Sequence, residues 1–312
     1  MTLPAPSSGD GDAARTPAPS SAATDTPSHP GARTLVLTLA ALLAFAGNSL
    51  LCRLAVRGGT IDPFTFGTVR LIAGALTLAI VVRLRTGPPA RGPADWLAAA
   101  MLFAYVAFFS WAYLGLQAGM GALVLFGAVQ VTMFGVGLWS GERFAPLAWC
   151  GLVLAVGGLV WLVAPGVEAP PPLAAASMAL AGVAWGVYTL RGRGVADPVV
   201  SNAASFLRAA PMAAALSVLT LAGARAEATG LALAVASGAI TSALGYVIWY
   251  MALRGLTALR AATVQLSVPL IAALAGVALL GEPITSRLAV ASVAILGGIG
   301  LVLGSRARRA RG

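Results

Sequence analysis

The chain has 312 residues, of which 59% are hydrophobic and only 10% charged, with a mean hydropathy of +0.89. Soluble domains carry about a quarter charged residues, so a water-soluble fold is excluded. The net charge of +10 comes from 20 arginines and no lysine, spread over short loops rather than gathered in a basic patch, so no nucleic-acid partner is expected.

Residues 1–33 are rich in Pro, Ser, Ala, Thr and Asp. They cannot bury a core and are expected to form a disordered cytoplasmic tail, not a signal peptide. Ten apolar segments follow. The first five are expected at Leu35–Cys52, Phe64–Val82, Trp96–Leu114, Gly119–Ser140 and Pro146–Val163. The second five are expected at Leu173–Leu190, Val199–Leu221, Leu231–Leu253, Ala261–Leu280 and Leu288–Gly304. A bilayer takes roughly 17–25 residues of helix, and every segment fits. Barrel strands would be about half as long and would alternate.

A shift of 140 residues (142 to 282) carries Gly115–Glu142 onto Gly255–Glu282 without a gap, and carries Gly157-Gly158 onto Gly297-Gly298. The Pro-rich stretch Ala164–Pro172 separates the two copies. The expected fold is an all-α integral membrane protein of ten transmembrane helices, built as two inverted five-helix repeats over 34–163 and 173–304. A basic cytoplasmic tail, 305–312, follows. An odd number of spans per copy inverts the second copy, a plan shared by many secondary transporters. With both termini cytoplasmic, fourteen arginines fall inside and four (Arg53, Arg57, Arg225, Arg287) outside. That bias predicts both ends on the cytoplasmic face of the inner membrane.

The run from Gly245 to Leu303, GYVIWYMALRGLTALRAATVQLSVPLIAALAGVALLGEPITSRLAVASVAILGGIGLVL, has an aromatic-rich eighth helix, a Pro in the ninth, a closing Gly-Glu and a Gly-rich tenth. In that order these features resemble the EamA-type branch of the drug/metabolite transporter superfamily. The first copy carries the pattern more loosely, with Gly141-Glu142-Arg143 at the matching turn and Val129 where the second copy has Pro269. The resemblance implies ten helices, alternating access and export of small metabolites, without fixing the substrate.

Asp62-Pro63 and Asp197-Pro198 read as N-caps followed by a proline at the first helical position. Gly141-Glu142 and Gly281-Glu282 read as turn devices, a left-handed glycine ending the helix and a carboxylate capping or pairing nearby. No Asp or Glu lies in the middle of a span, which argues for exit down a gradient or coupling through an edge Glu. The polar pathway is expected to include Asn48, Gln130 and Gln265. Trp185, Tyr188 and Tyr246 are expected to form an aromatic wall. Pro269 is expected to kink the ninth helix.

Two arginines lie within helices. Arg70 is a candidate pathway residue, with the competing expectation that backbone carbonyls or helix ends satisfy it or that it snorkels outward. Arg208 is expected near the midplane in a water-filled cavity, holding an anionic group of the substrate.

The chemistry excluded is equally specific. The single histidine, His29, lies in the tail, and Cys52 and Cys150 form no CxxC, so no metal site and no cofactor are expected. The acidic residues are isolated, without the paired-Asp motifs an integral-membrane transferase needs, so an enzyme is not expected. The leading reading is a secondary transporter of a small metabolite, amino-acid-like or otherwise anionic, whose partners are its small-molecule substrate and the bilayer. A homodimer is one allowed assembly. The alternative is a multidrug efflux protein or a flippase for a lipid-linked substrate.

Overall fold

The computed structural model describes residues 31–85, 95–141, 144–166, 168–192, 195–256 and 264–309, with side chains described as far as Gly304. Among these the protein is helical. Among the described residues the only pairing of extended backbone is an isolated bridge between Ile61 and Ala226. The helices are α1 Ala32–Arg57, α2 Pro63–Leu84, α3 Trp96–Ala112, α4 Ala118–Trp139, α5 Pro146–Val163, α6 Pro172–Arg191, α7 Pro198–Leu219, α8 Ala228–Leu253, α9 Ser267–Leu280 and α10 Ser286–Arg309. Eight of them are long and apolar enough to cross a bilayer, and α3 and α9 are shorter apolar helices. The expected tail lies outside the described residues as far as position 30, and so do Glu142 and Arg143.

Helix starts follow the capping chemistry. Asp62 accepts from the Phe64 and Thr65 N–H groups at 3.1 and 3.0 Å, and Asp197 from Val199 and Val200 at 2.9 and 3.2 Å. Each caps a helix whose first residue is proline, where the missing N–H costs nothing. Gly281 ends α9 in the left-handed region, at φ 63°.

The contacts between helices are reciprocal. α1 packs on α8 and α9, and α6 packs on α3 and α4. α2 packs on α7, α4 on α9 and α5 on α10. Each of these last three pairs runs antiparallel. Thr68 and Ser217 share a 2.8 Å hydrogen bond, while Gly74, further along α2, meets Phe206, further back along α7. Gly119 meets Ala273 and Gly276 meets Ala118. On α5 and α10, Gly158 packs against Ile295 and Gly298 against Ala155, contacts that exchange under the 140-residue shift. Here the glycines are required by proximity: a Cβ on Gly298 would lie 2.6 Å from the Ala155 nitrogen. Outward, α5 and α10 present Val153, Trp161, Val290 and Val293, all more than half exposed and suited to lipid.

Three local features bear on the site. α1 continues past Cys52 to Arg57, so Arg53, expected in an outer loop, is a buried helical residue. α8 widens into a π-helical stretch over Ser237–Leu244. Pro269, expected to kink the ninth helix, lies in the first turn of α9, and the helix is interrupted just before it, at Leu266. Proline has no N–H to close a helical bond back to Gln265, and its ring crowds that carbonyl.

Candidate functional site

A cavity of about 1770 Å³ enters the bundle among α3, α4, α6, α7 and α8. Its mouth carries Arg85, Asp95, Arg191, Asp197 and Arg254. Its depth is set by α3: from Asp95 to Tyr105 is about 15 Å at about 1.5 Å per residue.

The mouth is organised by helix ends. Asp95, which caps α3, pairs with Arg191 at the end of α6 at 2.9 Å, and Arg85 after α2 lies 3.8 Å from Asp197, which caps α7. Partial burial pushes the Asp95 carboxyl up, but the Ala98 N–H and the Arg191 guanidinium outweigh it and hold the group below the ordinary carboxylate range. Both mouth carboxylates are thus neutralised by arginine. Arg208 and Arg254 have no carboxylate partner among the described residues, and the mouth is net positive.

The wall is aromatic. The Trp185 ring centroid lies 4.8 Å from Tyr105, 5.5 Å from Tyr188 and 5.4 Å from Tyr246. Phe45 meets the Tyr246 and Trp249 rings edge-on. Tyr188 donates to Asn202 Oδ1, and Asn202 Nδ2 donates to the Tyr250 hydroxyl at 3.0 Å, which ties α6, α7 and α8 together behind the aromatic face.

Asn48, Gln130, Gln265, Trp185, Tyr188, Tyr246 and Arg208, all expected along the pathway, line this one cavity. Arg208 differs from expectation in setting. It is partly exposed, donates to the Ala204 carbonyl at 3.1 Å, and rests over the Trp96 ring at the start of α3. Its long stem reaches back toward the mouth, so the guanidinium sits nearer the membrane face than the midplane.

Arg70 departs from expectation too: it lies behind the cavity wall rather than in its lining. It neither snorkels nor bonds to backbone, and is only 1% exposed. Its Nε donates to Ser242 at 3.1 Å and its Nη2 to the Tyr105 hydroxyl at 3.2 Å, with the Tyr105 and Phe109 rings each 5.2 Å away. A central arginine costs at least about 2.5–3.5 kcal/mol. Two desolvated cation–π contacts of about 2 kcal/mol each offset that. Ser237 and Ser242, which bond Asn48 and Arg70, both belong to the π-helical stretch of α8. Sequence periodicity gives no sign of that wider turn.

The opposite end is closed. Arg53 Nε donates to Glu282 Oε1 at 2.9 Å, and its Nη1 donates to the Tyr113 and Leu114 carbonyls at 2.7 and 3.2 Å. Glu282 Oε2 accepts from the Ala118 N–H at 2.8 Å. One buried ion pair therefore joins α1, the α3–α4 turn and the α9–α10 turn. Glu282 pairs near the next helix, as its turn position suggests, but its partner comes from α1. Glu142 at the matching turn lies outside the described residues.

Comparison with known proteins agrees with this architecture. Residues 172–304 match the EamA-like transporter family. An uncharacterized protein of Pseudomonas aeruginosa, PA1977, is 53% identical over 283 residues, covering 90% of this chain and 98% of its own. A solved crystal structure superposes with a TM-score of 0.64 over 89% of this chain and 100% of its own, at 20% identity, a likeness of fold.

Proposed function

The chain belongs to the EamA-like transporter family, and on that premise we propose that it exports a small metabolite of anionic character across the inner membrane by alternating access. It is a multi-pass membrane protein of the drug/metabolite transporter type. The observation that carries the finer reading is the asymmetry of the bundle. A large, net-positive cavity opens at one end, and a buried ion pair closes the other.

In this reading all ten apolar helices cross the membrane, as repeats 34–163 and 173–304. The antiparallel pairing of α2 with α7, α4 with α9 and α5 with α10 supports an inverted relationship, as do the exchanging contacts of Gly158 and Gly298. The mouth arginines lie on the face that the loop-arginine bias makes cytoplasmic, so the cavity loads from inside. Arg208 and Arg254 draw an anion toward it. Asn48, Gln130 and Gln265 give it neutral hydrogen-bond partners, and Trp185, Tyr188 and Tyr246 an apolar wall. Export then requires the Arg53–Glu282 closure to open as the mouth shuts.

Purified protein in proteoliposomes, given a panel of labelled anionic, neutral and cationic metabolites with and without a pH gradient, tests this directly. Flux of an anionic member that persists without the gradient is expected, since no helix carries a mid-span carboxylate. Flux confined to cations, or absent for the whole panel, would overturn it.

A further inference from the structure

We infer that the Tyr105 hydroxyl, with Arg70 behind it, is the donor that recognises the substrate, and that the substrate is a net-anionic carboxylate on an apolar body. This rests on the transport reading above and names the substrate class for that cavity.

The argument begins with hydrogen-bond bookkeeping at one oxygen. The Tyr105 oxygen accepts from Arg70 Nη2 and from Asn48 Nδ2, each at 3.2 Å. With both lone-pair directions used, the hydroxyl can only donate its own hydrogen, and no described residue accepts it. Asn48 is oriented for this role, because its Oδ1 is taken by Ser237 at 2.7 Å. Tyr105 and Asn48 both line the cavity. Arg70 does not, but its guanidinium lies against the Tyr105 and Phe109 rings, and its Nη1 is buried without a partner.

The deep end of the cavity therefore offers an O–H made a stronger donor by a charged donor bonded to its oxygen. Its positive charge has no carboxylate to balance it. Glu282 is held by Arg53 and the Ala118 N–H, and Asp95 and Asp197 by arginines at the mouth. A carboxylate oxygen is the acceptor this arrangement lacks. An ammonium group would meet only neutral amides and hydroxyls near a buried guanidinium. The aromatic wall then takes the apolar remainder of the molecule.

The test uses the full-length purified protein and matched ligands: hexanoate, hexanamide and hexylamine, and phenylacetate, phenylacetamide and phenethylamine. Binding is read by calorimetry or by intrinsic tryptophan fluorescence. The carboxylates should bind more tightly than their amides and amines. Tyr105→Phe should cost carboxylate affinity about ten- to a hundred-fold, the range for a hydrogen bond to a charged group, and cost amide affinity less, because an amide carbonyl accepts only a neutral hydrogen bond. Amide binding also reports that the variant is folded. Arg70→Gln, which keeps the Tyr105 hydroxyl, should reduce the same preference. A carboxylate preference that survives Tyr105→Phe, tighter binding of the amines, or no binding of either carboxylate overturns the assignment. Proteoliposome flux separates the two readings. Flux of an anion with no role for Tyr105 leaves transport standing and removes this inference. Binding without any flux removes the transport reading.

Discussion

Arg53 and Glu282, 229 positions apart in the chain, form a 2.9 Å ion pair in which both side chains are more than nine-tenths buried. The carboxylate has room because position 276 is glycine: a Cβ there would lie 2.8 Å from Glu282 Oε2. Removing Arg53 leaves the Glu282 carboxylate with only the largely exposed Arg57, 4.0 Å away, and breaking a buried pair in this way costs about 3–5 kcal/mol. Arg53→Ala should therefore lower the unfolding temperature in detergent markedly, and Arg53→Met with Glu282→Met should recover much of it.

The same pair yields a conformational prediction. Cys52 is fully buried next to Arg53, while Cys150 is exposed. In a Cys150→Ser background, Glu282→Gln should raise the rate of maleimide reaction at Cys52, because the closed end opens more often. A Glu282→Gln protein that loses flux with Cys52 still protected would show that the pair serves only to hold the fold.

On α5 and α10 the second glycine of each Gly-Gly pair is the packed one. A Cβ on Gly158 would lie 2.7 Å from the Ala294 side chain, and one on Gly298 would strike backbone of α5, whereas Gly157 and Gly297 face open space. Gly298→Ala should destabilise the protein by about 1–3 kcal/mol through overpacking, and Gly297→Ala should be nearly neutral. Paired thermal melts decide it. Equal effects at the two positions would refute the packing account.

How much of this was legible in the sequence depends on the range of the cause. Asp62-Pro63 and Asp197-Pro198 announced their helix starts because capping is settled within a few residues. The Gly pairs were legible because close helix packing leaves small residues in the chain itself. Arg53 is not legible because it interrupts the apolar run after Cys52, while the helix continues through Leu54, Ala55 and Val56 to Arg57. Its role was invisible because Glu282 lies in the other half of the chain. Arg70 was misjudged for a similar reason. Its hydroxyl partners come from α3 and from the π-helical stretch of α8, which no periodicity reveals. Composition marks the aromatic residues Trp185, Tyr188 and Tyr246, but not Tyr105, since one tyrosine in an apolar helix carries no mark of its hydrogen bonds.

The mouth arginines predict a salt effect. The Asp95 carboxyl is held below the ordinary range in the folded protein, so its pairing with Arg191 contributes above the unfolded value of about 3.9 and is lost only as pH falls through the lower folded value. At neutral pH the free positive charge at the mouth, among the described residues that line it, is therefore that of Arg208 and Arg254. Arg208→Gln with Arg254→Gln should slow entry of an anionic solute about ten-fold at low ionic strength, spare a neutral one, and flatten the dependence of flux on salt. A double variant that keeps the wild-type salt dependence would exclude electrostatic loading through these residues.

Pro269 gives the last test. It is buried in the first turn of α9, and the helix is broken at Leu266, next to the cavity-lining Gln265. Alanine at this position would restore the N–H able to bond the Gln265 carbonyl and would remove the ring that crowds it. The break would then close, joining Val264 and Gln265 to α9 as one continuous helix. Because α9 packs on α1 and α4, straightening it would turn Gln265 relative to the cavity while leaving the apolar surface for the bilayer unchanged. Pro269→Ala should insert normally, melt at or above the wild-type temperature, and lose flux. Broken helices serve conformational change in membrane proteins only where the freed backbone faces protein or a water-filled cavity, and position 265 meets that condition. Wild-type flux from a more stable Pro269→Ala protein would show that the break has no part in transport.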